Sequence, residues 1–367
     1  MKNALYLFAA LAVICTYSCK RETKLPEILL GELENINQHK IIPLDSIVKS
    51  LRVIPIETCE ESLLGGKISV YESKESFYII SNNKLFRFDK SGKFEGTISN
   101  IGRGPEEYLN LRAIALNETE KTLYLLDYNS QKILKYQFDG EFLKSINLKL
   151  PQYTFVSDIF MADNILCLST SNNSINMEIL SLDERSGTTN YISKKERDML
   201  PGEGIMGNVI HSGQNNRLRV YNYFNDTVYY LNKGKMVPDF LINPGNYRIT
   251  IDMLKNIMNT LPVKSSKISV QKIVSAQNII LILYSVTNIN DKRWNSFIAI
   301  YDTNSGEILH NITISDKHIE YLSINSESRL FEGYEKNSLL MLQDRDNIYG
   351  QNNDSIQNPV IIKYEFR

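Results

Sequence analysis

The chain has 367 residues, 43% of them hydrophobic and 23% charged, with a formal net charge of −1. No basic stripe dominates, which excludes a nucleic-acid-binding surface of the electrostatic kind. The length suits one large all-β domain or two average ones, and 21 tyrosines among frequent Val, Ile and Thr favour strands.

The chain opens "MKNALYLFAALAVICTYSC": Lys2, an apolar run from Ala4 to Cys15, then small or polar residues up to Cys19. That is a secretory signal, too short to span a bilayer. Its end, "TYSC", resembles a bacterial lipobox; Ser18 suits the cleavage site, whereas Thr16 and Tyr17 depart from the usual residues. The resemblance implies cleavage before Cys19, lipidation of that cysteine, and a cell-envelope protein anchored in the outer membrane. Residues 1–18 are therefore expected as signal peptide, 19–46 as a polar tether and 47–367 as the folded domain.

Beyond the tether the text repeats. "KLFRFDKSGKFEGTI" from Lys84, "KILKYQFDGEFLKSI" from Lys132, "MEILSLDERSGTTNYI" from Met177, "TVYYLNKGKMVPDFLI" from Thr227 and "FIAIYDTNSGEILHNITI" from Phe297 each read as strand, tight turn, strand. Alternating apolar positions give each strand one buried face, and Asp, Asn and Gly tolerate the turn conformations. Another strand precedes each hairpin ("SFYIIS", "TLYLLD", "ILCLST", "RLRVYN", "ILILYS", "SLLMLQ"), and a further candidate precedes each of those ("KISVYE", "LRAIALN", "FVSDIFMA", "GNVIHSG", "KISVQKIVS", "SRLFEGYE"). Steps of 48, 45 and 49 residues, then 69 and 64, separate successive third strands. Four strands at this period predict an all-β, six-bladed β-propeller of four-stranded antiparallel blades. The sixth third strand, "VIIKYEFR" from Val360, ends the chain without a partner, and "LRVIPIE" from Leu51 is a spare strand at the start. Pairing the two would close the ring and remove an exposed edge. The longer steps have local explanations. Ile251, Leu254, Ile257, Met258 and Leu261 fall at helical spacing before Pro262, which predicts a short helix inserted at 247–262. Residues 344–358 form a long polar loop in the last blade.

The hairpin "FRFDKSGKF", the loop "GRGPEEY" and the opening "LRVIPIETCEESLLGGKIS" together resemble the six-bladed β-propeller lipoproteins of gut-dwelling Gram-negative bacteria, relatives of NHL-repeat propellers. The loop departs from that family's pattern at Glu106, where glycine is usual. The resemblance implies a fold and leaves the function open.

Candidate site residues lie on the connectors. "IGRGPEEYLNL", residues 101–111, links the first two blades. Gly102 and Gly104 offer unusual backbone angles, Pro105 fixes the turn, and Glu106, Glu107 and Tyr108 are placed either to bond within the ring or, with Arg103, to meet a ligand. No helix follows, so the geometry of a phosphate loop is missing. "GEGIMG" at 202–207 fits a dinucleotide pattern without its strand–turn–helix context and reads as a connector. Trp294, the single tryptophan, stands beside Arg293 between strands of the fifth blade, where it either stacks on a sugar or peptide or packs against a neighbouring blade. "DKHIE" from Asp316 and "DRDN" from Asp344 carry metal-ligand atoms, but lack ordered spacing; calcium is the one ion they could suggest, and no cofactor is predicted. No zinc motif and no nucleophile elbow occurs, so no catalytic residues are assigned. Cys59 and Cys167 fall in different repeats and are expected as free, buried thiols.

Two functions compete. One is a non-catalytic binding or scaffold module that holds a glycan, a peptide or another envelope protein on the loop-rich face. The other is a secreted hydrolase or lyase acting on glycan or lactone-like substrates. Mostly apolar inner strands favour binding.

Overall fold

The computed structural model describes residues 25–30, 40–150, 152, 154–172, 179–193, 209–212, 219–222, 225–248, 267–288, 293–310, 312–316, 323–324, 328–349 and 357–367. The chain forms six antiparallel sheets of four strands arranged as a propeller. Blade 1 comprises Ser69–Glu72, Ser76–Ser81, Lys84–Asp89 and Phe94–Thr97, from the channel outward. Blade 2 comprises Leu111–Asn117, Thr122–Asp127, Lys132–Gln137 and Phe142–Asn147, and blade 3 Thr154–Ala162, Ile165–Asn172, Ile179–Leu182 and Thr189–Ser193. Blade 4 comprises Val209–Ser212, Arg219–Asn222, Asn225–Asn232 and Lys235–Asn243, and blade 5 Lys267–Ala276, Ile279–Asn288, Arg293–Asp302 and Ile308–His310. Blade 6 takes Arg329–Glu332, Ser338–Gln343 and Val360–Phe366 from the end of the chain and Val48–Pro55 from its beginning. The expected closure is therefore present: Val360 faces Pro55, Ile362 faces Val53 and Tyr364 faces Leu51.

Second and third strands read as nearly continuous apolar runs because neighbouring blades cover both of their faces. Ser76–Ser81 and Thr122–Asp127 are buried at every position, as expected of strands enclosed on both sides. The turns follow their sequences. Asp89 accepts from the backbone N–H of Ser91 at 2.8 Å and of Lys93 at 2.9 Å, and Gly92 then adopts φ +90°. A Cβ on Gly92 would meet the Pro55 carbonyl oxygen at 2.2 Å, and one on Gly187 would meet that of Asn147 at 2.3 Å. In both places the turn before a fourth strand presses on the outer strand of the preceding blade. Only glycine combines that approach with a positive φ.

A second device joins blades. The same position of the third strand is basic in blades 6, 1 and 2, as Lys363, Arg87 and Lys135. Each reaches the next blade. Lys363 bonds Glu72 at 2.7 Å, Arg87 donates to the Phe138 carbonyl at 2.8 Å, and Lys135 meets Glu184 at 3.1 Å. Lys363 and Glu72 are both fully buried, with Lys90 and Glu335 completing the charge balance.

The segment expected as a tether contributes two strands. Glu27–Leu29 runs parallel to the outer strand of blade 4, with Ile28 and Leu30 fully buried. Lys40–Pro43 runs parallel to Ile312–Ser315 at the edge of blade 5, and the one-turn helix Leu44–Ile47 carries the chain into blade 6. This belt covers outer edges that would otherwise stay unpaired. The expected helix at 247–262 falls mainly outside the described residues, which show a single 3-10 turn, Gly245–Tyr247, at its start. Cys59 and Cys167 are free; Cys167 is buried and Cys59 half-buried.

Lys363→Met should cost about 1–3 kcal/mol in urea unfolding, because Glu72 loses its buried partner and keeps only the part-exposed Lys90. Adding Glu72→Leu should recover much of that loss, since an apolar pair of similar volume avoids the burial of charge. A double variant as unstable as the single one would show that the pair contributes more than mutual neutralisation.

Candidate functional site

Inner strands of blades 1, 2, 3, 5 and 6 line a central cavity of about 240 Å³. Its wall is apolar over Val70, Ile114, Ile159, Ile273 and Val274, with Tyr71, Glu118, Asp158, Lys272 and Glu332 set into it. Three of these strands carry an extra residue at a similar level, between Leu111 and Ala113, between Val156 and Asp158, and between Val270 and Lys272. Such a bulge breaks the alternation and re-aims the side chains that follow it, and here Asp158 and Lys272 come directly after one.

Lys272 is the cation of this wall. Its ammonium donates to the Leu330 carbonyl and lies 4.6 Å from the centre of the Phe331 ring. Burial pushes its pKa down to about 8; Glu332 opposes the shift and Lys67 adds to it. Glu332 in turn accepts from the Ser275 N–H at 3.2 Å. Burial and the nearby Asp158 charge push the Tyr71 phenol above its ordinary range. Burial also raises Glu118, which accepts from the Lys74 N–H at 3.1 Å. The cavity thus offers an amine, carboxylates and a phenol within apolar walls. Among the described residues no group of three His, Cys, Asp or Glu side chains is placed to hold a metal ion.

The mouth on the connector side has a different character. Large apolar side chains exposed there are Leu63, Ile101, Leu109, Tyr128, Phe155 and Tyr349. Arg112 lies 5.9 Å from the Tyr128 ring and Arg345 5.6 Å from that of Tyr349. The remaining exposed ones, Ile41, Leu143 and Tyr191, lie on strands at the rim. On the opposite side the short turns carry ion pairs such as Lys121–Glu75 at 2.8 Å and Lys144–Glu184 at 2.9 Å.

The loop at 101–111 lies on this mouth, and its residues divide into two roles. The Glu107 carboxylate accepts from the Gly104 N–H at 2.7 Å, and a Cβ on Gly102 would fall 2.0 Å from that carboxylate. The glycines therefore make room for the loop's own glutamate. Tyr108 is buried and donates to the Asn83 carbonyl at 3.0 Å, with its phenol pushed up to about 12 by burial. Lys132 bonds the Glu107 carbonyl at 2.6 Å, and Tyr136 donates to that of Glu106. Arg103 is exposed at the tip. The backbones of Arg293 and Trp294 begin the third strand of blade 5, paired with Asn288 and Thr287, so topology puts them on the same side. "GEGIMG" lies outside the described residues, as does most of "DKHIE". Asp344 pairs with Arg329 at 2.7 Å, and Asp346–Tyr349 forms one helical turn.

Sequence reading did not single out Lys272, Asp158 or Tyr71. The signal available was a polar pair inside an apolar inner strand, Ser157–Asp158 and Gln271–Lys272, where alternation slips by one. It also missed Asn358, which is buried at the seam and donates to the Glu57 carbonyl at 2.7 Å and to that of Ser62 at 2.8 Å.

These features define a six-bladed propeller with a charged central cavity and an apolar connector mouth. The chain belongs to the family described as "Domain of unknown function (DUF4934)", whose profile matches residues 31–365. No curated protein matches it in sequence. Among solved structures it is similar to a Bacteroides fragilis protein inferred to be exported, at 17% identity and a TM-score of 0.66, over 90% of this chain and 100% of that one. It is also similar to a Bacteroides vulgatus member of the DUF4221 family, at 12% identity and a TM-score of 0.54, over 87% and 97%. At such identities the likeness is one of fold.

The position of Lys272 gives a pH prediction. Its folded pKa lies below the ordinary lysine value of 10.5, so between pH 8 and 10.5 the unfolded chain binds the extra proton and stability rises with pH. Lys272→Met should therefore raise the melting temperature at pH 7, by an advantage that shrinks across that window. An advantage independent of pH would show that Lys272 titrates normally.

Proposed function

We propose that this chain is an exported propeller lipoprotein, held in the envelope through Cys19, that binds an envelope polypeptide across the connector side and has no catalytic role. The observation that carries the reading is the placement of exposed large apolar side chains. Leu63, Ile101, Leu109, Tyr128, Phe155 and Tyr349 all fall on the connector face, while the other face presents short charged turns. Exposed apolar side chains on one face, with Arg112 beside Tyr128 and Arg345 beside Tyr349, have the composition of a protein-binding surface. Aliphatic Leu and Ile suit a peptide chain better than the polar faces of a sugar, so a glycan is the less favoured occupant. Arg103 at the loop tip, with Arg293 and Trp294 from blade 5, would extend the contact. The signal and the lipobox-like "TYSC" support export and anchoring, and the NHL-type likeness remains part of this reading.

A second reading has one observation in its favour: Lys272, with its lowered pKa, shares a cavity with Glu332, Asp158 and Tyr71. That set could serve a hydrolase or lyase by proton transfer. It would require turnover of a glycan or lactone that disappears in Lys272→Met.

Two measurements test the main reading. Mass spectrometry of the membrane fraction should find a diacylglyceryl adduct on Cys19; an unmodified, soluble product contradicts anchoring. A photo-crosslinking residue at Tyr128 or Leu109 should trap a defined protein partner in cells, and Arg103→Ala with Phe155→Ser should reduce the adduct while leaving the melting temperature unchanged. Equal or stronger adducts from Ser91 on the turn side would move the interface to the other face.

A further inference from the structure

The central cavity holds a cation that the fold does not neutralise in its usual way. Where the chain buries a basic side chain elsewhere, a carboxylate meets it. Lys363 and Glu72 stand 2.7 Å apart, Lys135 and Glu120 2.9 Å, and Arg219 and Asp239 2.6 Å. Lys272 has no such pair among the described residues. Its ammonium has the Leu330 carbonyl as acceptor and the Phe331 ring at 4.6 Å, and Glu332 acts on it through space without closing an ion pair.

The fold also opens this amine to the cavity. The extra residue between Val270 and Lys272 breaks the alternation of the blade 5 inner strand. Lys272 lines the cavity and is half-buried, so the channel reaches it. Around it stand the apolar side chains of Val70, Ile114, Ile159 and Ile273. A lysine amine desolvated among apolar groups is a nucleophile, because its ammonium form has lost hydration. With a pKa of about 8, ~10% of it is neutral at pH 7, against roughly 0.04% for an ordinary exposed lysine.

We infer that the central cavity captures a small, uncharged aldehyde or ketone with an apolar body, as an imine on the Lys272 side-chain nitrogen. The amine lone pair forms a bond to the carbonyl carbon, the C=O π pair moves to oxygen, and one proton passes from nitrogen to that oxygen. The hydroxyl then leaves as water with the second proton from nitrogen, and the nitrogen pair closes the C=N bond. No oxidant or reductant takes part. Glu118 borders the same cavity, and burial favours its protonated form, so it can lend the proton that the departing oxygen needs.

The class of ligand follows from the charges. Glu332 favours a positive nitrogen at Lys272. An imine can still carry that charge, whereas an acyl or carbamate group would remove or reverse it. Asp158 and Glu332 in the wall also oppose an acid group on the ligand. This capture goes beyond the connector-side reading and needs no turnover, so either proposal can fail alone.

The test reads bond formation at one nitrogen. The purified protein is treated at pH 7 with limiting butanal and cyanoborohydride, which reduces imines to stable secondary amines, and the labelled lysines are located by peptide mass spectrometry. Lys272 should carry at least about tenfold more label than Lys84 or Lys233, which are exposed. In urea the preference should vanish, because it belongs to the folded cavity. Succinic semialdehyde, of similar length but with a carboxylate, should not share the preference. Labelling of Lys272 no greater than that of the exposed lysines, or a preference that survives in urea, overturns the proposal. A preference shared equally by succinic semialdehyde overturns the assignment to uncharged carbonyl compounds.

Discussion

The pairing of Val48–Pro55 with Val360–Phe366 is the constraint on which the rest of the molecule depends. A propeller has no stable open form of comparable burial, because each blade covers only its neighbours and an unclosed ring would expose the faces of two blades. Here the two strands come from opposite ends of the chain, so closure carries a large loop-entropy cost. The compensation is local and dense. Ile54, Ile361 and Ile362 are buried, Gly92 lets the first blade approach the Pro55 carbonyl, and Asn358 ties the carbonyls of Glu57 and Ser62 across the seam. The buried Lys363–Glu72 pair crosses the same seam. A buried ion pair is a poor source of stability but an unforgiving one; in any other register Glu72 would keep only Lys90 and Lys363 only Glu335. Its contribution here is to register.

The remainder of the ring uses two different solutions to hold adjacent blades. In blades 6, 1 and 2 a basic residue at one position of the third strand reaches the turn or inner strand of the next blade. In blades 3, 4 and 5 the corresponding positions are Ser181, Tyr230 and Ile300, and no such cation is available there. Blades 4 and 5 are the two that carry the added parallel strands of the belt. The belt buries Ile28, Leu30, Ile42 and Leu44, so apolar cover stands where the charged reach is absent. The N-terminal segment is thus part of the domain's fastening.

Much of this was legible in the sequence, and the illegible parts share a cause. Hairpins such as Lys84–Asp89 with Phe94–Thr97 announce themselves through period-two apolar residues and an Asp–Gly turn, both local signals. The missing outer strand of the last blade followed by counting. The belt has no local signal: "EIL" and "KIIP" are too short to show a period, and parallel docking on an edge depends on a partner more than two hundred residues away. The site was harder still. For Glu107 and Tyr108 the sequence left ring bonding and ligand contact both open, and the structure shows the first: Tyr108 is buried and Glu107 caps its own loop. Lys272 was hidden. It sits within an apolar strand where one bulge residue shifts the alternation, and only the fold shows that the shift turns it toward the channel.

Strain and cover are distributed unequally between the two sides of the ring. The turn side is partly occupied by fastening: Gly92 and Gly187 press on the preceding blade's outer strand and several side chains there are committed to ion pairs, so substitutions at those places would trade against closure. The connector side is freer, because its loops are pinned from beneath by buried contacts such as Tyr108 to Asn83 and Lys132 to the Glu107 carbonyl. Arg103, Leu109 and Tyr128 can change there without loosening the ring. A rigid support under exposed side chains is an arrangement on which a recognition surface can be built. The channel adds a further asymmetry. Holding Lys272 in an apolar wall costs stability at neutral pH, and the surrounding fold contains the means to avoid it, since isoleucine or valine fills the neighbouring wall positions. Glu332 in the same cavity offsets part of that cost.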